Sequence, residues 1–245
     1  MTDRPAATPG AKMLYLIRRK AAISREELIA HWYAHHMPAV IRRQKDAAVR
    51  GEPFARRYFV SLFDAGPAVQ FGWDGVAQLW WAQPQPKSET PHGTTPTDSF
   101  HERADPYESW ATTEYVVVDG SEHLSVAPLT LNAPYPSTRS GFFKVSFLVQ
   151  AKAGIDYDTF FAHWLDVHVP NVRDTLLAAG GFRYVVSQST TPVHERYAGL
   201  AELYFHDAAG WTRYRSTIKE DGMAQWVERE GMPVLTGGTE LIGLP

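Results

Sequence analysis

Histidines in two matching blocks are the residues of this sequence whose type and spacing best suit proton chemistry. The first block reads His-Trp-Tyr-Ala-His-His-Met-Pro over residues 31–38, and the second reads His-Trp-Leu-Asp-Val-His-Val-Pro over residues 163–170. An imidazole titrates near neutral pH, so it can donate a proton to a substrate or remove one. Packing also explains a repeated His-Trp pair, with the imidazole bonded to a helix carbonyl or to a neighbouring strand. Both interpretations stay open at this point.

The two blocks belong to a longer internal repeat that runs through most of the chain. Four further segments recur in the same order, and the offset between the copies stays between 124 and 132 residues, so the length differences lie in loops. The recurring pairs are 13–17 with 145–149, 57–61 with 183–187, 75–80 with 199–204, and 113–116 with 239–242. A unit of about 110 residues is a usual domain size. We predict a tandem duplication with units at 12–118 and 141–243, joined by a linker at 119–140.

Each half is predicted to fold as strand, helix, strand, strand, helix, strand. A short apolar run opens each half, and Ser24 and Asp156 follow it with side chains that cap a helix N-terminus. Pro38 and Pro170 are expected to end that helix, because proline has no N–H and clashes with the preceding turn. The later strands are predicted at 57–63, 75–82, 113–118, 182–188, 199–205 and 239–243.

The second helix is better marked in the second half than in the first. Asp207 is a good N-cap for the later one, whereas the earlier one is expected only somewhere within residues 98–110. Residues 83–97 are rich in Pro, Thr and Ser and have no equal in the second copy. We expect them to form an exposed loop.

Side-chain alternation along the predicted strands separates a dry face from a mixed face. Successive strand residues point to opposite faces of a sheet, and one face is apolar in both copies. The other face carries Gln78 and Trp80 in the first half and Glu202 and Tyr204 in the second. We expect the two sheets to stack by these mixed faces and to enclose a pocket, whose apolar walls and few polar groups suit a small organic ligand.

Composition excludes several classes of function. The 245 residues are 44% hydrophobic and 13% aromatic, enough to bury a sizeable core. A net charge of −3 argues against a nucleic-acid partner, and the absence of cysteine excludes thiolate, iron–sulfur and Cys-type zinc chemistry. No apolar run approaches the roughly 20 residues that a membrane span needs, and the start lacks a signal-peptide run. We therefore expect a cytoplasmic protein with a small-molecule substrate and no membrane partner.

The same blocks carry a resemblance to the EthD family. They comprise a capped helix with His-Trp-x-x-x-His-x-Pro, followed by Asp-Gly-Val-Ala-Gln-Leu-Trp at 74–80, and most of them occur twice in order. That family belongs to the dimeric α+β barrel superfamily, whose units are ferredoxin-like β-α-β-β-α-β folds. The resemblance covers nearly all of 12–118 and 141–243. It implies an α+β fold in which two fused units form the barrel within one chain, with a further homodimer possible.

The family resemblance also ranks the site residues. It favours His36 and His168, next to the prolines, as general acid or base, together with the leading His31 and His163. A structural role for these histidines also stays open. The aromatic strand residues could likewise serve only to pack the core. The substrate-binding candidates are His35, Tyr58, Gln78, Trp80, Tyr184, Glu202 and Tyr204.

The function expected from these residues is cofactor-independent acid/base chemistry on an aromatic or polyketide-like substrate. Lyase, decarboxylation, cyclisation and isomerisation reactions all fit, and members of the resembled superfamily carry out several of them. Two alternatives stay open, a cofactor-free oxygenase and a non-catalytic ligand-binding or accessory protein. Fold resemblance alone does not select among them.

No cofactor or metal is expected from the sequence. His31 and His35 have the i, i+4 spacing of metal ligands, but Val167 stands at the matching place in the second copy and no nearby carboxylate completes a set. The superfamily's haem peroxidases carry Gly-x-x-Asp-Gly, and here Phe71 replaces the first glycine before Asp74 and Gly75. Haem is therefore not expected.

Overall fold

The computed structural model describes residues 4–65, 72–124 and 133–245. Five α-helices and eight β-strands lie in these ranges. The strands are β1 Ala11–Ile17, β2 Arg57–Leu62, β3 Gly75–Trp81, β4 Glu108–Val118, β5 Ser137–Val149, β6 Gly181–Ser189, β7 Gly199–Phe205 and β8 Val234–Leu244. The helices are α1 Arg25–His31, α2 Met37–Val49, α3 Tyr157–His163, α4 Val169–Ala178 and α5 Ala208–Thr217. The predicted α+β class is confirmed.

The chain forms two compact units that each mix the two halves of the sequence. The His36 unit comprises Pro9–Ala111, Ser125–Ser140 and Gly238–Pro245. The His168 unit comprises Met1–Thr8, Thr112–Leu124 and Gly141–Gly237. The repeat boundaries at 12–118 and 141–243, and the barrel within one chain, stay predictions.

Each unit completes a four-stranded antiparallel sheet with a strand from the opposite half of the sequence. In the His36 unit the order is β1-β3-β2-β8, and β8 pairs with β2 through Ser61 and Glu240. In the His168 unit the order is β5-β7-β6-β4, and β4 pairs with β6 through Glu114 and Ser187. The predicted closing strands β4 and β8 therefore exist, but each pairs with a sheet built mainly from the other half of the sequence.

The repeated tryptophans anchor the helices on these sheets. Trp32 and Trp164 are buried, and their rings lie against Gly75 and Gly199 at the start of β3 and β7. A Cβ at either glycine would lie 3.1 Å from the tryptophan ring and closer still to a backbone carbonyl of the neighbouring strand. Glycine is needed at both positions because only a residue without a side chain lets the helix approach so closely.

A π-helical turn occupies the repeated block in both halves. It spans Trp32–His36 in the first half and Trp164–His168 in the second, and the N–H of Met37 donates to the carbonyl of Trp32, five residues back. The prediction that Pro38 and Pro170 end the helix is wrong. The π turn places each proline in the first turn of the following helix, where its missing N–H costs no hydrogen bond.

The two halves differ at the second helix. α5 follows its cap Asp207 as predicted, with Asp207 Oδ1 accepting from the N–H of Gly210. The helix expected within 98–110 is wrong, because residues 98–104 form successive turns and β4 already begins at Glu108. Within the described ranges, the structure contains no helix that is both long enough and apolar enough to span a bilayer.

Candidate functional site

The most concentrated set of potential ligands in the His36 unit consists of His36, Asp98 and His101. His36 Nδ1 lies 2.7 Å from Asp98 Oδ2, and His101 Nδ1 lies 3.3 Å from Asp98 Oδ1. One nitrogen or oxygen atom from each of the three side chains falls within 4.8 Å of the others. Two imidazoles and one carboxylate at this separation form a ligand set that binds transition metals. We call these three residues the His36 triad.

Local backbone structure holds the triad in place. The π turn sets the position of His36 just before α2. Asp98 opens the turns at 98–104, with Oδ1 accepting hydrogen bonds from the N–H groups of Phe100 and His101. Its second oxygen is left for His36. Backbone N–H groups thus hold Asp98 Oδ1, while the His36 ring at the end of the π turn contacts Oδ2.

His101 presents an unprotonated nitrogen to the carboxylate. Its Nδ1 lies 3.3 Å from the backbone nitrogen of Thr97 and 2.9 Å from the Thr97 hydroxyl. A backbone N–H can only donate, so Nδ1 accepts and carries no proton in this arrangement. Two electron-rich atoms, this nitrogen and Asp98 Oδ1, therefore face each other. The one lone pair of Nδ1 takes the hydrogen bond from Thr97, so a metal ion would bind this nitrogen only in place of that bond.

The pKa values of Asp98 and His101 follow from burial, from hydrogen bonds and from neighbouring charges. Burial alone would raise the pKa of the Asp98 carboxyl, but hydrogen bonds from His36 and the His101 N–H, with the charges of both rings, hold that pKa well below its usual range. Burial, followed by the charge of His36, lowers the pKa of His101. Burial and the Arg43 guanidinium lower the pKa of the neighbouring His92. The site thus combines an Asp98 carboxylate that stays ionised with a His101 imidazole whose lowered pKa favours the neutral form, and these are the states in which carboxylates and imidazoles bind metals.

Aromatic rings enclose the triad. Phe100 lies 4.7 Å from the His36 ring and Tyr107 lies 5.6 Å from the His101 ring, both between ring centroids. The hydroxyl of Tyr107 is buried and has no hydrogen-bond partner among the described residues. Burial, with the charges of Tyr58 and Asp98, raises the pKa of Tyr107 well above its usual value.

The His168 unit repeats the His–Asp pair but not the triad. His168 Nδ1 lies 2.7 Å from Asp221 Oδ2, and the amide of Asn171 donates to the same oxygen at 2.7 Å. Ala224 stands three residues after Asp221, where His101 stands three after Asp98. In the described part of the chain, the metal-type cluster is thus confined to the His36 unit.

The other predicted histidines have separate surroundings. His31 Nδ1 lies 2.8 Å from the Ser99 hydroxyl, and its ring stacks on the exposed His35. His163 packs near Trp226, and its buried Nε2 has no partner among the described residues. Burial lowers the pKa of His31. The structure therefore joins His36 and His168 to carboxylates and leaves the other three outside these clusters.

The two predicted strand tyrosines lie on the helix side of their sheets. The Trp32 indole lies 3.4 Å from the Tyr58 hydroxyl, and Tyr184 packs in the core that contains Trp164. Burial raises the pKa of both phenols. These tyrosines are neighbours of the histidine pairs, because the charge of Asp98 acts on Tyr58 and that of Asp221 acts on Tyr184.

Four further candidates lie on the opposite faces of the same sheets. Gln78 donates to Ser61, whose hydroxyl donates to Glu240 at 3.0 Å. Glu202 forms a buried ion pair with Lys144 at 2.6 Å. Lys12 and Lys144 lie over the rings of the remaining two candidates, Trp80 and Tyr204. The structure does not bring these four together with the histidines, because the sheet lies between them.

Sequence reasoning missed Asp98, His101 and Tyr107. One signal was available for the carboxylates, since Asp98 and Asp221 follow the repeated glycines Gly75 and Gly199 at nearly equal distances. The partners lie far apart in the chain and the expected helix at 98–110 obscured the turn, so no local pattern connected them.

Two cavities lie at matching positions of the repeat, away from these pairs. One cavity has a volume of about 310 Å³, and its lining includes Arg18, Arg19 and Arg25. Arg18 forms an ion pair with Asp105, and Arg19 forms one with Asp74. The other, of about 570 Å³, lies beside residues 150–157. Neither is lined by a predicted catalytic histidine.

Comparisons with known proteins give only distant structural likenesses. No protein-family profile and no curated protein matches the chain. A chlorite dismutase from Candidatus Nitrospira defluvii in complex with imidazole is 8% identical, with a TM-score of 0.46, and the match covers 93% of this chain and 90% of that one. A haem-binding protein from Thermus thermophilus is 11% identical, with a TM-score of 0.45 and coverages of 98% and 94%. A protein named as a monooxygenase, from Fusobacterium nucleatum, is 9% identical, with a TM-score of 0.44 and coverages of 100% and 94%.

The expectation of cofactor-independent lyase, cyclase or isomerase chemistry is wrong. The neighbours are named for chlorite dismutation, haem binding and monooxygenation. The structure supplies a physical reason. The expected chemistry required the histidines to share one pocket with the mixed-face residues Gln78 and Glu202, but the sheet lies between the histidines and these two residues. At such low identities and TM-scores, these likenesses assign no cofactor to this chain.

The residues around the two histidine pairs do not fit a haem. The rings of Phe100, His101 and Tyr107 pack against the His36 imidazole, with centroid distances of 4.7, 4.9 and 6.5 Å, and occupy the space that a macrocycle would need. In the His168 unit, Trp164 and Tyr184 fill the layer between helix and sheet at 1% exposure each. A bound porphyrin would have to displace these rings from closely packed cores.

Proposed function

We propose that this protein is a metal-dependent enzyme of small-molecule metabolism, with a divalent transition metal bound by the His36 triad. The observation that carries the proposal is the convergence of ligand atoms from His36, Asp98 and His101 within 4.8 Å. Two histidines and one carboxylate with open positions are typical of non-haem iron(II) oxygenases, so iron(II)-dependent oxygenation is the reaction class that this set favours.

The tautomer of His101 supports a cation at this place. Its unprotonated Nδ1 faces the ionised Asp98, an arrangement that a hydrogen bond alone does not stabilise, since neither atom carries a proton to share. A metal ion that replaces the hydrogen bond from Thr97 to Nδ1 would accept a lone pair from each of the two atoms. His36 would contribute the third ligand, and its ring orientation is set by the π turn.

The difference between the two halves also supports the proposal. The second half has a His–Asp pair at His168 and Asp221, where Asn171 supplies a neutral third group. The first half has His101 instead, and it is held by Thr97, the last residue of the loop at 83–97 that the second half lacks. The extra ligand and the extra loop thus occur together in one unit.

We further infer that the chain is a tandem EthD-like duplication in which the second His–Asp pair keeps a structural role. The matched pairs His36–Asp98 and His168–Asp221, both at 2.7 Å, support this inference. A homodimer stays a prediction and is tested by native mass measurement.

The test is metal binding by chelator-treated protein. The protein is titrated with Co²⁺, and anaerobically with Fe²⁺, and the bound metal is quantified after dialysis. We expect one ion per chain, and thermal stabilisation of about 2.7 kcal/mol at a free ion concentration 100 times the Kd. His101→Ala is expected to weaken binding at least tenfold.

His35→Ala provides the matched control, since His35 is an exposed imidazole next to His36 that lies outside the triad. It should retain wild-type affinity. The proposal fails if wild-type protein binds neither ion, or if His101→Ala binds as tightly as wild type.

A further inference from the structure

The hydroxyl of Tyr107 is a buried donor with no bonding partner among the described residues. Tyr107 is 8% exposed, and its ring is held by neighbours on several sides. Nearly all buried polar groups in folded proteins are hydrogen-bonded, and a buried hydroxyl without a partner often marks a water, an ion or a catalytic role. The tyrosine therefore faces a position where a hydrogen-bond acceptor is expected.

That position lies beside the His36 triad. The Tyr107 ring is 5.6 Å from the His101 ring and 6.5 Å from the His36 ring, the latter edge-on at 89°. The Tyr107 ring thus packs against two of the three triad side chains.

The loop that distinguishes the first half holds the tyrosine there. The Tyr107 N–H donates to the carbonyl of His92 at 2.8 Å. Gly93, at a φ of +85°, lies against the ring, and a Cβ there would lie 3.2 Å from Tyr107 Cε1 and 3.6 Å from His101 Cδ2. The same segment thus supports both Tyr107 and the third ligand.

We propose that Tyr107 donates a hydrogen bond to a small anionic ligand that occupies the open position of the metal in the His36 triad. This inference rests on the proposed function, because it needs a metal at the triad. It adds a positioning residue and a ligand class, small anions with a nitrogen or oxygen donor atom. A phenol pointing at such a ligand stabilises it by a charge-assisted hydrogen bond.

The second half offers a matched control. Tyr214 on α5 is also buried, and the charge of Asp221 acts on its phenol as that of Asp98 acts on Tyr107. The His168 unit lacks the third ligand, since Ala224 replaces His101. Tyr214→Phe therefore makes the same chemical change beside a His–Asp pair without a metal set.

The experiment uses Co²⁺-loaded protein and azide as the anion. Visible absorption of the bound Co²⁺ reports both metal binding and the arrival of azide. In Tyr107→Phe we expect the Co²⁺ affinity and the melting temperature to stay close to wild type. The azide affinity should fall roughly tenfold, which corresponds to about 1.4 kcal/mol for one hydrogen bond. Tyr214→Phe should bind azide as wild type does.

Three results would overturn the inference alone. These are azide affinity unchanged within about twofold in Tyr107→Phe, an equal loss in Tyr214→Phe, and a Co²⁺-loaded wild type that does not bind azide. If wild-type protein binds neither Co²⁺ nor Fe²⁺, the proposed function fails as well. The two failures are therefore separated by the metal titration that precedes the azide titration.

Discussion

His36 Nδ1 lies 2.7 Å from Asp98 Oδ2, although 62 residues separate them in the chain. The same contact recurs at 2.7 Å between His168 and Asp221 in the second half. Each pair ties the π turn of one helix to a turn that the carboxylate itself caps. The repeated histidines are therefore bound to aspartates that no local sequence pattern connects to them.

Asp98→Asn is expected to affect both stability and metal binding. It removes the charge from the hydrogen bond with His36, which should lower the free energy of unfolding by roughly 1.5–3 kcal/mol. Asp221→Asn should cause a similar loss of stability, because it weakens the matching pair. Only Asp98→Asn should abolish Co²⁺ binding. Urea denaturation and metal titration of both variants check this, and equal metal binding in the two would contradict it.

The Asp221 pair predicts acid sensitivity of the metal-free protein. Burial opposes ionisation of Asp221, but hydrogen bonds from His168 and Asn171 outweigh it and lower the pKa of the carboxyl in the folded state. The unfolded chain therefore binds the proton more readily, and its Asp pKa is about 3.9. The stabilisation should be complete above that value and decrease as pH falls below it. Urea titrations of metal-free protein between pH 5 and pH 3 should show a smaller decrease in Asp221→Asn than in wild type, and parallel decreases would refute the assignment.

Glu202→Gln should be strongly destabilising. Glu202 and Lys144 form an ion pair at 2.6 Å in which both side chains are at most 3% exposed. Removal of one partner leaves a buried charge uncompensated, at a cost of about 3–5 kcal/mol. For a chain of this size that corresponds to a fall in Tm of roughly 10 °C. Calorimetry measures the shift, and a Tm within about 2 °C of wild type would show that the pair contributes little.

Gly75→Ala and Gly199→Ala test how the repeated tryptophans are packed. The added methyl group would lie 2.7 Å from the Ser61 carbonyl oxygen in the first case and 2.3 Å from that of Ser187 in the second. Both changes should destabilise by about 1–3 kcal/mol, and Gly199→Ala by more, because its contact is closer. Chemical denaturation ranks the two variants, and unchanged stability in both would contradict this account of the glycines.

The sequence predicted the class of fold and most of its elements, because these depend on local patterns. Strand alternation and the caps Ser24, Asp156 and Asp207 placed the strands and three of the helices, since both signals lie within a few residues. Pro38 and Pro170 were wrongly expected to end a helix, because a π turn shifts the helical hydrogen bonds without an obvious signature in the sequence.

The site was predicted only in part, because it depends on contacts between distant segments. His36 and His168 were selected from their repetition, and both lie in His–Asp pairs. The partners Asp98 and His101 come from a region expected to be helical, and His101 has no copy that would have drawn attention to it. The mixed-face residues were correctly placed on their strands, but residue types alone could not show that Glu202 is neutralised by Lys144.

The most direct test of the account is a crystal structure of Co²⁺-loaded protein with an anomalous difference map recorded at the cobalt edge. We predict one strong peak in the His36 unit, at about 2.0–2.2 Å from a ligand atom of each of His36, Asp98 and His101. Absence of a peak at the triad, or an equal peak at His168 and Asp221, would contradict the central claim.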